Sequence, residues 1–356
     1  MVGMRKALRN AGLVMIFSLM IILAACSKPE TGTENAEIPR QVEEGQKAPE
    51  PEKPGGEEKT GKAPYSFPTA GIRPYAVMID NEGVKSLPQG GLDKAQIIYE
   101  IIVEGGETRL MPVFWGPGPD MVGPVRSSRH YFLDYAMEHD AIYVHFGWSP
   151  MAMQDISKFK INNINGVANG GEIFYDLTKD KNNWQDSYTS MEKIRDYVNK
   201  VKYRTTTDQK NVFEYNASDV ELQSQQKAEK ISLAFSSTYS CGFEYDLSLK
   251  EYKRIRKGSP HIERTTGSQF TAKNILIQLV ENGTIKGDDA GRQWVSDVGT
   301  GSGWFVTCGK AVKLKWAKAS RTAQTVYTDE KGEAIKLNPG QTWIEIVPVN
   351  GKVAMQ

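Results

Sequence analysis

Three arginines in the first half of the chain have the chemistry of an anion-binding site. Arg126 and Arg129 are three residues apart at the start of a predicted helix, and Arg109 lies on a predicted strand. The free backbone N–H groups of a helix start favour anions and disfavour cations, so we expect a negative group to offset these arginines. His130 follows Arg129 directly and joins the three arginines as a candidate anion-binding residue.

Carboxylates of the same region are the internal candidates for that negative group, and a bound phosphate or carboxylate ligand is the alternative. The period-two rule places Glu100 and Glu104 on one face of a predicted strand. The glycines after Glu104 favour a hairpin that would set it beside Arg109 for a salt bridge. Asp80 ends another strand, and Asp134 lies on the helix. We predict that the three arginines converge with Asp80, Glu100 and Glu104 at one end of the sheet.

The motifs of common hydrolases are absent from the sequence. The four histidines form no His-Glu-x-x-His motif, and there is no Cys-x-x-Cys pair and no Gly-x-Ser-x-Gly elbow. A Ser-x-x-Lys motif at 190–193 has the pattern of penicillin-interacting enzymes, but 224–227 matches it equally and the Lys-Thr-Gly lies far away at 59–61, so chance explains it. His145 is interpreted as a hydrogen-bonded strand histidine. Cofactor and metal stay unassigned.

The N-terminus has the pattern of a lipoprotein signal peptide over residues 1–25. A basic stretch ending at Arg9 precedes an apolar run over 11–25, which is shorter than the roughly 20 residues of a membrane-spanning helix. The run ends in Leu23-Ala24-Ala25-Cys26, which matches the lipobox. We predict cleavage before Cys26, lipidation of its thiol with acyl chains such as palmitate, and anchoring at the extracytoplasmic face of the cell membrane.

Residues 26–64 are predicted to form a disordered linker, the tether, that begins at the lipidated cysteine. The stretch 27–64 contains six prolines, no aromatic residue, and only Ile38 and Val42 as aliphatic side chains larger than alanine. It therefore cannot bury enough apolar surface to offset the entropy of ordering. A flexible coil of this length spans roughly 35 Å, which would hold a folded region clear of the lipid headgroups.

The remaining residues, about 290 of them, are long for one core and suit two domains. We predict an N-terminal α+β domain with a mixed sheet over 65–215 and a mostly β C-terminal domain over 228–356, so the fold class is α+β. The formal net charge of +1 excludes a strong attraction of the whole molecule to nucleic acid. No nucleic-acid partner is expected.

Hydrophobic periodicity predicts the elements of each domain. In the first domain, strands are predicted over 75–80, 97–103, 108–115 and 141–146, and helices over 131–137 and 188–202. In the second, strands are predicted over 231–235, 243–247, 252–255, 274–280, 304–308, 311–316, 325–327 and 343–347, with a hairpin turn at 329–332. The glycines 299, 301 and 303 lack the spacing and the following helix of a phosphate-binding loop, and are interpreted as a turn.

Two cysteines remain once Cys26 is lipidated. Cys241 and Cys308 would lie in an oxidising compartment, where only one pairing is available to them. A disulfide between them and two separately buried thiols are equally compatible with the sequence.

Sequence blocks along nearly the whole mature chain resemble the YerB-like lipoproteins, a family named for a domain of unknown function. They are 73–81, 91–95, 99–100, 103–106, 108–109, 123–129, 188–190, 271–274 and 342–348. The resemblance implies two α+β domains in an exported lipoprotein and transfers no activity. The chain departs from the family pattern at 184–186, where Trp-Gln-Asp replaces Pro-His-Asn, and at 175–176, where Tyr-Asp replaces an aromatic-Arg pair. No role of the family residues at these two places is carried over.

Two functions from different classes follow from these patterns. The favoured one is a non-enzymatic lipoprotein of the cell envelope that binds another envelope protein or a cell-wall polymer. The alternative is an enzyme of phosphoryl or glycan-phosphate transfer. In that enzyme the arginines would hold a pyrophosphate, and a metal ion bound to carboxylates such as Asp80 and Glu104 would offset the charge of the pyrophosphate.

Overall fold

The computed structural model describes residues 65–180, 183 and 185–356. The predicted signal peptide, the lipidation site Cys26 and the tether lie outside these residues, so they stay predictions. Within the described ranges, no helix has the length and apolar character needed to cross a membrane.

Short strands and four α-helices alternate in the first half of the described chain. The strands are β1 (Tyr75–Val77), β2 (Ile79–Asp80), β3 (Ile97–Ile102), β4 (Thr108–Phe114), β5 (Ile142–His145), β6 (Asn163–Asn165), β7 (Tyr175–Asp176), β8 (Ser187–Tyr188) and β9 (Glu214–Tyr215). The helices are α1 (His130–Glu138), α2 (Pro150–Lys158), α3 (Gly166–Ile173) and α4 (Met191–Lys200). Two 3-10 turns cover Leu92–Lys94 and Glu104–Gly106.

From residue 230 onward the described chain is built of strands. They are β10 (Lys230–Ala234), β11 (Ser240–Asp246), β12 (Glu251–Arg256), β13 (Ser259–Pro260), β14 (Thr271–Ala272), β15 (Asn274–Val280), β16 (Asn282–Thr284), β17 (Gln293–Val295), β18 (Gly299–Thr307), β19 (Lys310–Lys318), β20 (Val326–Asp329), β21 (Lys336–Leu337), β22 (Thr342–Pro348) and β23 (Lys352–Met355).

An 11-stranded mixed sheet, the main sheet, runs through both halves of the chain. Its order is β20-β19-β18-β15-β22-β3-β4-β1-β5-β6, with β2 paired to β4. The halves join where β22 lies parallel to β3, from Thr342 opposite Ile97 to Ile346 opposite Ile101. The predicted α+β class is confirmed, with a mixed sheet in the first half and a strand-rich second half. Strands of the two predicted domains thus share one sheet, and the boundary between those domains stays a prediction.

Smaller sheets complete the fold. The second sheet has six strands in the order β13-β12-β11-β10-β23, with β14 paired to β12. Three separate two-stranded ribbons are formed by β16 with β17, β9 with β21, and β7 with β8.

Both faces of the main sheet are buried, which explains the nearly continuous apolar runs of its central strands. On β3, Ile98 packs into a first core that also holds residues of the six-stranded sheet, α3 and α4. Its neighbour Tyr99 packs into a second core, on the opposite face, which holds residues of α1 and α2. Fully burying such a side chain contributes about 1.5–3 kcal/mol to folding.

The glycine run does not form the turn expected from the sequence. Gly299, Gly301 and Gly303 lie within β18, in its ladder with β19. A Cβ on Gly303 would collide with the carbonyl oxygen of Ile277, and a Cβ on Gly301 would collide with the indole of Trp316. Close approach of a neighbouring strand and of a tryptophan ring therefore explains these glycines.

The disulfide considered from the sequence is not formed, because both cysteines are free thiols. Cys241 lies on β11 and faces the first core, with its Sγ 3.8 Å from Oε2 of Glu345. Cys308 lies in the tight turn between β18 and β19, and its Sγ accepts a hydrogen bond from Nδ2 of Asn338 at 3.4 Å. The two thiols are thus held by different partners.

Candidate functional site

The candidate site lies at one end of the main sheet, where the parallel strands β1, β5 and β6 end together. The segment 125–128 is inserted at this end. The N–H of Arg126 donates to the carbonyl of Met78 at 2.8 Å, and the carbonyl of Arg126 accepts from the N–H of Phe146 at 3.0 Å. The carboxyl ends of parallel strands are the usual place for ligand sites in α/β sheets.

Three helices begin beside this inserted segment. Arg129 is the N-cap of α1, and no side chain caps that helix. Ser149, the N-cap of α2, donates its N–H to the carbonyl of Ser128 at 3.1 Å. Asn165, the N-cap of α3, accepts the N–H of Gly147 on its Oδ1 at 2.9 Å. The positive ends of three helix dipoles therefore lie in the same region as the arginines.

Strand register brings Asp80 and Arg109 to the same face of the sheet. The two residues are directly opposite each other in the antiparallel pairing of β2 with β4, and opposite residues of a ladder share a face. Met111, two residues further along β4, belongs to the second core. The site therefore lies at the end of the face that α1 and α2 cover.

Asp80 is the partner of Arg126. Its Oδ2 lies 3.2 Å from Nε of Arg126 and also accepts a hydrogen bond from Nε2 of Gln185 at 2.9 Å. Its Oδ1 accepts the N–H of Glu82 at 3.0 Å. Asp80 is fully buried, so the ion pair with Arg126 is shielded from water on the carboxylate side.

Glu104 is the partner of Arg129. Its Oε1 accepts from Nε at 2.5 Å and its Oε2 from a terminal nitrogen at 2.9 Å, a bidentate arrangement. Burial alone would raise the pKa of Glu104, but the hydrogen bonds and charge of Arg129 outweigh it and lower that pKa. The salt bridge predicted between Glu104 and Arg109 is therefore wrong, because Arg129 occupies both carboxylate oxygens.

Arg109 is the cation that the internal carboxylates do not pair. It is only 3% exposed, its NH1 donates to the carbonyl of Ser127 at 2.5 Å, and its Nε has no hydrogen-bond partner. Burial, followed by the charge of Arg129, lowers its pKa to about 10. Within the described ranges no carboxylate lies within ion-pair distance of it. We call Asp80, Glu104, Arg109, Arg126 and Arg129 the arginine cluster.

Glu100 does not join the arginine cluster, contrary to the prediction. Glu100 on β3 lies opposite Leu110 on β4, one residue away from Arg109. Glu100 and Arg109 are therefore on different faces of the sheet. The predicted period-two relation to Glu104 fails because β3 ends at Ile102 and Glu104 begins a 3-10 turn. Glu100 instead faces the first core.

In the first core, Glu100 forms a buried triad with Arg254 and Glu345. The guanidinium of Arg254 contacts both carboxyl groups and lies 2.8 Å from Oε1 of Glu345. The carboxylates and Cys241 have ligand atoms close enough together for a metal ion. However, the guanidinium of Arg254 already supplies the positive charge between them, so these residues form an ion-pair triad rather than a metal site.

His130 and Asp134 also lie apart from the arginine cluster. Asp134 pairs with Arg321 at 2.8 Å, and the same guanidinium nitrogen lies 2.8 Å from Oδ2 of Asp155. The Nδ1 of His130 is buried without a hydrogen-bond partner, and burial followed by the charge of Arg321 lowers the pKa of this histidine. His130 therefore belongs with the carboxylates around Arg321, although it adjoins Arg129 in sequence.

Asp134 has a second carboxylate beside it, which gives a pH-dependent prediction. This second carboxylate is Asp297, whose pKa is raised to about 8 by burial and by the charge of Asp134. The Oδ2 of Asp297 has no hydrogen-bond partner. Folding therefore keeps a proton that the unfolded chain releases above pH 4, so this pair costs stability progressively between about pH 4 and pH 8. Asp297→Asn removes that cost and can donate a hydrogen bond to Asp134.

We expect the melting temperature of Asp297→Asn to exceed that of the wild type by an amount that widens from pH 5 to pH 8 and then levels off. The rise of the pKa of Asp297 from its ordinary value to about 8 sets an upper limit of about 6 kcal/mol on this gain. We expect a gain on the order of 2 kcal/mol, or about 4 °C in a chain of this size, because local rearrangement relieves part of the cost of a buried charge. Thermal melts across this pH range measure it. The exposed Asp208→Asn is the control and should give a pH-independent offset. A constant offset for Asp297→Asn as well would contradict the shared-proton pair.

Gln185 is a residue of the site that the sequence did not reveal. Its Nε2 donates to Oδ2 of Asp80 and to the carbonyl of Glu82, both at 2.9 Å. It thereby fixes the carboxylate that holds Arg126. The sequence feature that could have pointed to Gln185 is its position in the block 184–186, where the chain departs from the family pattern.

The geometry supports binding of an anion. Two arginines of the cluster are partly exposed and already oriented by carboxylates, while a third is buried beside them with a free N–H. An anionic group placed against these guanidinium groups would accept several charge-assisted hydrogen bonds.

The chain is similar to known proteins in sequence and in fold. Residues 59–204 match the N-terminal domain, and 231–344 the C-terminal domain, of the protein of unknown function DUF3048. YerB of Bacillus subtilis (strain 168), named as a candidate lipoprotein, is 30% identical over 279 residues, which is 78% of this chain and 81% of that protein. The crystal structure of the Bacillus subtilis YerB protein matches with a TM-score of 0.71 at 27% identity, covering 82% of this chain and 99% of that chain.

Proposed function

The chain belongs to the DUF3048 family, as its resemblance to the YerB-like lipoproteins implied, and on this premise we propose that it is a lipid-anchored, extracytoplasmic protein that binds an anionic ligand of the cell envelope at the arginine cluster. A relative named as a lipoprotein, together with family models of unknown function, supports a lipoprotein without an assigned activity. The anchor at Cys26, the extracytoplasmic face and the ligand are the parts that we propose.

One observation carries the ligand proposal: Arg109 is a buried cation without a carboxylate partner. A buried charge is costly unless it is paired, and Arg109 has a free Nε as well. Its neighbours Arg126 and Arg129 add to the positive potential, since their charges contribute to lowering its pKa. A bound anion would supply the missing charge and the missing acceptor together.

The same geometry favours binding over phosphoryl transfer. The enzymatic alternative needs Asp80 and Glu104 as metal ligands, but Arg126 and Gln185 engage Asp80, and Arg129 engages both oxygens of Glu104. A metal ion there would have to displace guanidinium groups that the mechanism needs for the pyrophosphate. We therefore propose a binding protein.

Pyrophosphate is the probe for this function. In thermal melts of the mature full-length protein in detergent, a pyrophosphate concentration of 100 times Kd should stabilise the protein by about 2.7 kcal/mol, which is about 5 °C. Arg126→Lys keeps the charge beside Asp80 but loses the planar fork, so we expect its Kd to rise about tenfold.

The control for lost positive charge is Arg292→Ala. Arg292 pairs with Asp288 in the turn of the β16-β17 ribbon, outside the cluster. Its Kd for pyrophosphate should equal that of the wild type. A wild-type protein whose melting temperature does not respond to pyrophosphate would refute the proposed function.

Membrane anchoring has its own test. Cys26→Ala should abolish lipid labelling, because the thiol is the acceptor of the diacylglyceryl group, and should leave the protein as an uncleaved precursor or release it from the membrane. Metabolic labelling with radioactive palmitate and fractionation of cells measure both effects. Palmitate on the Cys26→Ala protein would show that the anchor is elsewhere.

A further inference from the structure

Trp148 is a large aromatic side chain that is left uncovered beside the arginine cluster. It is 39% exposed. Its inner side contacts the ring of His145, with centroids 5.4 Å apart, and His145 contacts the ring of Tyr143 at 5.3 Å. Because this buried stack supports the indole from within, its outer side is held in place for a ligand.

Backbone pairing places Trp148 next to the arginines. It forms a parallel bridge with Ser128. Ser128 lies between Ser127, whose carbonyl accepts from Arg109, and Arg129. The backbone of Trp148 is therefore paired with the residue that directly precedes Arg129 and directly follows the carbonyl that holds Arg109.

Trp148 also lies on the same face of the main sheet as Arg109. Tyr143, at the base of the ring stack, belongs to the second core together with Met111, which alternates with Arg109 along β4. The hydroxyl of Tyr143 donates to Oγ of Ser128 at 2.9 Å, which ties the stack to the inserted segment.

A second uncovered apolar side chain extends this surface. Val167 is 69% exposed, at the start of α3. A Cβ on Gly147 would lie 3.6 Å from Cγ2 of Val167 and 3.3 Å from Oγ of Ser127, so Gly147 separates the two sides of a narrow gap. Val167 is thus a second exposed apolar side chain close to Gly147, the residue that precedes Trp148.

We propose, resting on the anion-binding function above, that the ligand is a glycosyl phosphate whose phosphate contacts the arginine cluster and whose sugar ring stacks on Trp148. One face of a pyranose is formed by C–H groups, which match a single indole, while its hydroxyl groups stay in contact with water at an exposed rim. An acyl chain would need a continuous apolar groove, which two side chains do not form.

Glucose 1-phosphate and glycerol 1-phosphate separate the sugar from the phosphate, because both are phosphate monoesters and only the first carries a ring. In calorimetric titrations of the mature full-length protein in detergent, glucose 1-phosphate should bind about tenfold more tightly. Trp148→Ala should remove this difference and leave the Kd for glycerol 1-phosphate unchanged, and Trp148→Phe should keep most of it.

Trp294→Ala is the matched control, since Trp294 is 41% exposed and lies on β17, in a ribbon that contributes no residue to the cluster. It should change neither Kd. Equal Kd values for the two esters, or a Trp148→Ala protein that binds both more weakly, would overturn the sugar assignment while anion binding stands. Tighter, Trp148-dependent binding of adenosine monophosphate would assign the ring to a nucleobase and overturn it too. Failure of both esters to bind while pyrophosphate binds would also overturn the sugar assignment, whereas failure of pyrophosphate and both esters to bind would refute the proposed function.

Discussion

Replacing Arg254 with methionine is expected to lower the free energy of unfolding by about 3–5 kcal/mol, because it leaves a buried carboxylate without its cation. Arg254 is fully buried, pairs with Glu100 and Glu345, and lies over the rings of Phe243 and Trp343, with its Cζ 4.7 and 4.1 Å from their centroids. Methionine keeps much of the packing volume and none of the charge.

The two glutamates of this triad are expected to be in different protonation states. Burial is the largest influence and would raise the pKa of Glu100, but the charge of Arg254 and the hydrogen bonds from Thr108 and Tyr239 together outweigh burial and lower that pKa. Burial raises the pKa of Glu345 well above its ordinary value, and the charge of Glu100 adds to this. We therefore expect Glu100 to be the carboxylate that pairs with Arg254, and Glu345 to be the glutamate that keeps its proton.

Glu345→Gln is the matched control for Arg254→Met. Glutamine is close in shape to a protonated glutamate, so we expect this variant to lie within about 1 kcal/mol of the wild type. Urea unfolding followed by tryptophan fluorescence measures both variants. Equal, large losses of stability in the two proteins would show that Glu345 is ionised and would contradict the assigned protonation states.

Local pattern was sufficient to predict most strands of the second half of the chain. The run 274–280 was predicted with the bounds that β15 has, because its apolar residues are buried on both faces and polar residues or turns flank it. The same reasoning found β3, β4 and α1 to within a residue or two at each end. Hydrophobic periodicity reports burial directly, so it succeeds where burial decides the structure.

The candidate site was predictable only in part, because its partners are far apart in sequence. Asp80 and Arg109 lie opposite each other because their strands, β2 and β4, are neighbours in the sheet. Gln185, however, is 105 residues from Asp80, and Arg254 is 154 residues from Glu100. No local spacing signals such contacts, and the face that Glu100 adopts depends on where β3 ends.

The glycines of β18 illustrate a similar limit. Glycine near a strand pattern usually indicates a turn or a bulge, and the sequence around 299–303 contains nothing against that interpretation. What requires glycine there is the backbone of β15 and the indole of Trp316, and both are brought close only by the completed sheet.

Within the arginine cluster, Arg109→Met is expected to raise the stability of the ligand-free protein while abolishing anion binding. The ligand-free gain is about 1–3 kcal/mol, because a buried guanidinium without a carboxylate partner is removed and its repulsion with Arg126 and Arg129 is relieved. The lost hydrogen bond to the carbonyl of Ser127 offsets part of this gain. The Kd for pyrophosphate should rise at least about 30-fold, since a buried charge contact is worth about 2–5 kcal/mol.

Arg126→Ala should have the opposite effect on stability. It strands the fully buried Asp80, which keeps only the hydrogen bonds from Gln185 and the N–H of Glu82. We expect a loss of about 2–3 kcal/mol from this variant, together with weaker pyrophosphate binding. Thermal melts of both variants, with and without pyrophosphate, give four melting temperatures to compare with those of the wild type.

Opposite signs at two neighbouring arginines distinguish a ligand site from a structural network. In a network that is complete by itself, each arginine satisfies a carboxylate, so removing either one destabilises the protein and pyrophosphate changes neither variant. In a ligand site, the arginine without an internal partner costs stability until the anion arrives. If Arg109→Met destabilises the protein as Arg126→Ala does, and the wild type ignores pyrophosphate, the cluster is a salt-bridge network and the ligand proposal is wrong.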